Sequence, residues 1–222
     1  ASINCVYSHE WTAFARRLEA AGADALELNM FFLPSDFERS ARDQEAAYFA
    51  TIDKILAAVS IPVALKISYY FSNLGPMIQN LSNTGIAGLV LFNRFYSPDF
   101  DIEKLEVVSS NVFSNPSDVT ISLRWIGIMA ERVNCDLAAS TGVHDGAALI
   151  KQILAGANAV QVVSAFYKHG KGHIATMLDT LEEWMKKKGW DASGREWHWY
   201  EHKSLGRVGV KPAGAPDPWF LQ

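Results

Sequence analysis

Three stretches of this chain repeat one pattern, and that pattern limits the fold more than any other feature of the sequence. They are AAGADALELN (20–29), SNTGIAGLVLFN (82–93) and LAGANAVQVVSA (154–165). In each, a helix tail ends at a glycine (Gly22, Gly85, Gly156), a few small residues turn the chain, and an apolar strand runs to a polar residue, Asn29, Asn93 or Ser164. Glycine suits the helix end because it takes positive φ without a Cβ penalty. The strand cores ALEL, GLVLF and AVQVV are mostly apolar rather than strictly alternating, as parallel strands covered on both faces require.

Apolar residues at a 3.6-residue period predict helices between these strands: Trp11, Phe14 and Leu18; Tyr48, Ile52, Ile55, Leu56 and Val59; Ile174, Met177, Leu178, Leu181 and Met185, with Gly189 as the stop of the last. Adding ASINCV, PVALKIS and CDLAAS gives six strands, each followed by a helix. Strict alternation means a parallel sheet with right-handed crossovers, either doubly wound or closed into a barrel. A (β/α)8 TIM-type barrel fits better, because polar residues end strand after strand (Asn29, Lys66, Asn93, Ser140, Ser164) and would meet on one rim. Eight strands close such a barrel. The chain has no initiator Met and begins in strand-like sequence, so the missing pair is expected upstream.

With 222 residues, 49% hydrophobic and 20% charged, one globular domain is expected. A net charge of −4 and dispersed Lys and Arg, apart from Lys186, Lys187 and Lys188, argue against a nucleic acid or an acidic membrane as partner. Cys5 and Cys135 lie far from any second ligand at metal spacing, so reduced thiols and a cytoplasmic setting are expected. The expected division is a partial barrel over 1–189, broken by a long excursion at 94–122, and an extended tail over 190–222 that packs on the barrel or on an oligomer partner. A long loop at a strand's C-terminal end is where a lid or substrate flap belongs.

The polar strand ends carry the candidate chemistry. Ser140-Thr141-Gly142, directly before a helix starting near Asp145, exposes backbone N–H groups, and Ser164-Ala165 forms a further short turn. Barrels commonly hold a phosphate in the loops after their last two strands in this way. A tight turn built of small residues would read the same. Lys66, inside VALKIS, is too costly to bury without a partner, which leaves it as a Schiff-base nucleophile or the charge partner of an anionic cofactor. Asn29 and Asn93 offer donor and acceptor pairs suited to a heteroaromatic or amide edge, or to capping a turn; Asn4 has a weaker claim. Arg94 faces an anion or solvent, and His144 and Asp145 read as helix caps. His198 and His202 stand four apart without a third ligand, so no metal is expected.

Taken in order, GADALELN, PVALKIS, GLVLFN and STGVHDGAALIKQILAGANAVQVVSA resemble the dihydroorotate dehydrogenase family, flavin-dependent (β/α)8 barrels of pyrimidine biosynthesis, from residue 1 to about 188. The resemblance implies an FMN-dependent oxidoreductase. It assigns Lys66 to the flavin's pyrimidine end, where a cation stabilises the reduced anion, Asn29 and Asn93 to flavin or substrate, and Ser140, Thr141, Gly142, Ser164 and Ala165 to the FMN phosphate. It also exposes a departure. The family carries a Cys or Ser base shortly after the Asn of this strand, whereas MFFLPSD places Phe31, Phe32 and Leu33 there, with Ser35 beyond Pro34. Neither Phe takes a proton, so a small planar or unsaturated substrate other than dihydroorotate is expected. The alternatives are a phosphate-binding lyase or aldolase using Lys66 as Schiff-base nucleophile, and a non-catalytic barrel serving in assembly.

Overall fold

A computed structural model describes residues 1–7, 9–33, 35–110, 112–187, 197–202 and 206–212; for 186–187 and the last two segments only the backbone is considered. Two compact units divide the chain: residues 1–93 with 125–138, and 94–124 with 139–222.

The first unit is built on parallel strands. β1 (Ser2–Ile3), β2 (Leu26–Asn29), β3 (Val63–Ile67) and β4 (Gly88–Leu91) pair in sequence order, with Ser2 opposite Glu27, Asn29 opposite Lys66 and Lys66 opposite Val90. Helices α1 (Glu10–Ala20), α2 (Ala41–Leu56) and α3 (Leu74–Ser82) form the crossovers. Ser40 caps α2: its hydroxyl oxygen accepts from the Asp43 N–H at 3.2 Å and its O–H donates to the Asp43 carboxylate at 2.6 Å. Tyr48, Ile52 and Ile55, at one-turn spacings, form the buried stripe of α2.

Burial alternates along the strands. Leu26, Leu28, Val63, Leu65 and Ile67 are fully covered, whereas Glu27, Asn29, Ala64 and Lys66 are half-buried. A two-residue period puts these sets on opposite faces, and a leucine such as Leu65 gains about 2 kcal/mol from burial. All the polar candidates of β2 and β3 share the more open face.

In the second unit, the excursion forms a hairpin of β5 (Pro98–Asp101) and β6 (Glu106–Ser109), then a 3-10 turn over Pro116–Asp118 that leads into α4 (Val119–Met129), whose residues from Trp125 on belong to the first unit. The Asn115 side chain accepts from the Asp118 backbone while the Asp118 carboxylate accepts from the Asn115 N–H, closing a capping box. β7 (Asp136–Ala139) belongs to the first unit up to Ala138; the carbonyl of Ala139, in the second, accepts at 2.8 Å from the N–H of Gln161, the neighbour of β8 (Ala159–Val160). Between them lies α5 (Gly146–Leu154), capped by Asp145, whose carboxylate accepts from the Ala148 N–H at 2.7 Å. α6 (Ser164–His169), α7 (Gly172–Lys187) and the antiparallel β9 (Trp197–His202) and β10 (Gly206–Pro212) follow. Val143, Leu149, Ile150, Ile153, Met177 and Leu181 form this unit's core. A Cβ at Gly146 would overlap the Thr180 side chain, so glycine lets α5 and α7 approach.

The six expected strands are all present, in the order β1-β2-β3-β4-β7-β8 of one parallel sheet, with a helix after each. β1 and β8 are its edges, so this sheet does not close into a barrel. Two details differ from the sequence reading. The strand read through AVQVV to Ser164 stops at Val160, and Ser164 opens α6 instead, because Val163 leaves extended backbone at ψ −59°. Phe14, Leu178 and Met185 are exposed at 43%, 53% and 36%: each belongs to an amphipathic helix but lies beside its buried stripe. The expected boundary at 189/190, Gly189 and most of the 190–222 tail lie outside the described residues.

Candidate functional site

In the first unit the backbone ladder runs on past the strand ends and fixes the polar groups there. Met30 donates its N–H to the Lys66 carbonyl at 3.0 Å, and Asn93 donates its N–H to the Ile67 carbonyl at 2.7 Å. Asn93 then donates through Nδ2 to Oδ1 of Asn29 at 2.6 Å, so the two asparagines, 64 residues apart in sequence, form one amide pair. Lys66 stands directly opposite Asn29 in register. Burial lowers its pKa below the ordinary lysine value, while the nearby Glu27 carboxylate works against that shift. Glu27 also accepts from the Ser2 hydroxyl at 2.9 Å. Sequence reasoning passed over Glu27, although it lies two residues before Asn29 on the same strand face. The outcome is a cation, a carboxylate and an amide pair set by the ends of three adjacent strands.

Phe31 and Phe32 follow β2. Phe31 is half-buried and Phe32 is 38% exposed. The Phe32 N–H donates to the Tyr48 hydroxyl at 3.3 Å, and the two rings meet edge to face with centroids 5.2 Å apart. Burial pushes the Tyr48 hydroxyl up to about 12, so it stays protonated at neutral pH and is no base. Ser35 Oγ donates to the Leu33 carbonyl at 3.5 Å, and Pro34 lies outside the described residues.

The second unit holds the small-residue turn. Ser140 is buried, and Thr141 and Gly142 both have positive φ, 79° and 78°. A Cβ on Gly142 would overlap the Val119 amide nitrogen, so this residue must be glycine on steric as well as conformational grounds. Ala165 is fully buried. The Ser164 hydroxyl oxygen accepts from the Ser114 N–H at 3.0 Å, which leaves its own hydrogen available to an acceptor. Ser114 is tied in two more ways: its hydroxyl lies 3.0 Å from Nε2 of His144, and its carbonyl accepts from the Lys168 ammonium at 3.2 Å.

His144 therefore does not cap α5. Asp145 alone does so, while His144 is buried against Ser114, with its pKa lowered by desolvation and then by the Lys168 charge. Ser114 and Lys168 carried no local signal, since their partners lie 30 to 54 residues away. Arg94 is likewise structural: its guanidinium meets the Asp118 carboxylate at 3.5 Å and donates to the Val112 carbonyl at 3.3 Å, tying down both ends of the excursion.

Cys5 and Cys135 are free thiols, each raised in pKa chiefly by burial, Cys135 to about 11. Among the described residues no three His, Cys, Asp or Glu groups gather as a metal site, and no helix is long and apolar enough to cross a membrane. The side chains of His198 and His202 lie outside the described residues.

Residues 1–185 match the family model described as dihydroorotate dehydrogenase. The catalytic subunit of dihydroorotate dehydrogenase B (NAD(+)) from Thermoplasma volcanium is 25% identical over 191 residues, covering 84% of this chain and 63% of that protein. Dihydroorotate dehydrogenase A (fumarate) from Lacticaseibacillus paracasei is 28% identical over 191 residues, covering 82% and 65%. A crystal structure of DHODH from Eimeria tenella, in complex with ferulenol, shares the fold with a TM-score of 0.62 at 16% identity, covering 84% of this chain and 56% of that one. The chain thus spans somewhat under two thirds of the length of these relatives. On the family match over most of its length, the chain belongs to the dihydroorotate dehydrogenase family.

Proposed function

We propose that the complete protein is an FMN-dependent oxidoreductase acting on a small planar or unsaturated substrate that is not dihydroorotate. The observation that carries this reading is the cluster of Lys66 with the Asn29–Asn93 amide pair at adjoining strand ends, in a chain of this family. The donor set fits a flavin. A half-buried ammonium balanced by Glu27 suits the pyrimidine edge, which gains negative charge on reduction, and the amide pair supplies both donors and acceptors for ring or substrate polar atoms. The family resemblance assigns the phosphate to the turn at Ser140, Thr141 and Gly142, to Ala165 and to Ser164, whose hydroxyl hydrogen is available.

When bound, FMN supplies the acceptor or donor of a hydride equivalent. Lys66 holds positive charge near the ring, Asn29 and Asn93 orient the polar edge presented to them, and Phe31 and Phe32 make the region after β2 apolar. Neither phenylalanine removes a proton, and Tyr48, with its raised pKa, does not replace a base. A substrate needing deprotonation at carbon by the protein is therefore disfavoured. Burial of Lys66 also suits a Schiff-base nucleophile, and borohydride trapping of a carbonyl substrate on Lys66 tests that second reading. We expect no trapped adduct.

The complete protein, loaded with FMN and mixed anaerobically with dihydroorotate, tests the substrate assignment: the flavin absorbance is expected to persist. Rapid bleaching would show that dihydroorotate is oxidised despite Phe31 and Phe32. The same reading makes the protein cytoplasmic and leaves it free to form a homo-oligomer.

A further inference from the structure

We propose that a pocket in the first unit, which shares Phe32 with the apolar region after β2 but is lined by none of Lys66, Asn29 and Asn93, binds an organic ammonium group. The cavity, of about 350 Å³, lies between α2 and the loops that follow β2 and β3. Five aromatic residues line it, Phe32, Tyr48, Tyr69, Tyr70 and Phe71, together with Glu45. They hold one another in place: Tyr48 meets Phe32 and Phe71 edge to face, with centroids 5.2 and 5.3 Å apart, and the Tyr69 and Tyr70 rings lie 4.7 Å apart. The faces of such rings carry the negative end of the ring quadrupole, which attracts a cation.

Glu45 sets the sign. Glu45 is half-buried on the pocket wall, and its carboxylate makes no hydrogen bond or ion pair among the described residues. The nearby cations do not neutralise it. Arg39 donates to the Asp43 carbonyl at 3.2 Å, and Arg42, one turn before Glu45, is exposed and forms no ion pair with it. A carboxylate without a partner among the described residues, on a wall shared with five aromatic side chains, selects a cation with an apolar body, which the rings attract and the carboxylate pairs.

Benzyltrimethylammonium and its neutral counterpart benzyl alcohol, titrated into the 222-residue chain by calorimetry, test this. Saturable binding of the cation, about tenfold tighter than that of the alcohol, is expected. Glu45→Gln should bring the two probes to within about twofold, and Tyr70→Ala should weaken both by about tenfold. Both side chains reach solvent, and circular dichroism verifies that the variants fold. Saturation-transfer NMR on the unaltered chain should also pass magnetisation from aromatic protons to the N-methyl groups. Equal affinity of the two probes, no saturable binding of the cation, or an unchanged preference in Glu45→Gln overturns the proposal.

Discussion

The strand ends of the first unit and the small-residue turn of the second both read as ligand sites, but they are built from different materials. In the first, side chains do the work: Lys66, Glu27 and the Asn29–Asn93 pair are held by register and by backbone bonds, and any one can be exchanged while the strand beneath it remains. In the second, the backbone is the site. Gly142 leaves no room for a Cβ, and Thr141 beside it also takes positive φ. The difference predicts that substitutions in the turn damage folding and binding together, whereas those at the strand ends separate the two.

The largest effect is expected at Gly142. Gly142→Ala should cost roughly 3 kcal/mol, from steric overlap at Val119 plus a disfavoured φ, seen as a lower urea midpoint together with loss of FMN binding. An unchanged midpoint would show that the turn relaxes and that its geometry is not fixed by packing.

Ser164→Ala comes next. It removes the hydroxyl hydrogen assigned to the phosphate and strips the Ser114 N–H of its acceptor, so FMN affinity should fall by about 2 kcal/mol, near thirtyfold, by fluorescence quenching titration. A loss that also appears with flavin analogues lacking the phosphate would assign Ser164 a structural role only.

Lys66→Met should sharpen the contrast from the other side. Because burial disfavours the ammonium, the variant should melt no lower than the parent and up to about 1 kcal/mol more stable, while the reduced flavin is held less well. A more negative flavin reduction potential in spectroelectrochemistry separates charge stabilisation from mere packing.

The smallest effect concerns pH. The folded pKa of His144 lies below its ordinary 6.5, so below pH 6.5 the unfolded chain binds more protons than the folded one. Stability contributed by the neutral ring is therefore full above pH 6.5 and is lost as pH falls toward the folded pKa. Urea unfolding between pH 7 and 5 should show this slope, and His144→Gln should flatten it.

The sheet was legible because its signals are local: each strand is a short apolar run, and a glycine marks the helix end before three of them. Lys66, Asn29 and Asn93 could be singled out because a polar residue closing such a run is conspicuous. The hairpin of β5 and β6 is not foreseen as strands within the expected excursion at 94–122. Pro98, Asp99 and Asp101 in the first arm are poor strand formers, and pairing with the second overrides that preference. Ser164 misled for the opposite reason, since VVSAFYKH suits a strand or a helix, and only the chain's departure at Val163 decides it. The Ser114–His144 contact and the Glu45 pocket join residues about 15 to 40 positions apart through loops, which no periodicity reports.

The visible absorption spectrum of the complete protein after reconstitution with FMN and removal of free flavin tests the central claim most directly. We predict flavin bands retained at one equivalent per chain and abolished by Gly142→Ala. A colourless protein, folded by circular dichroism, would contradict the cofactor assignment and with it the roles given to Lys66 and Ser164.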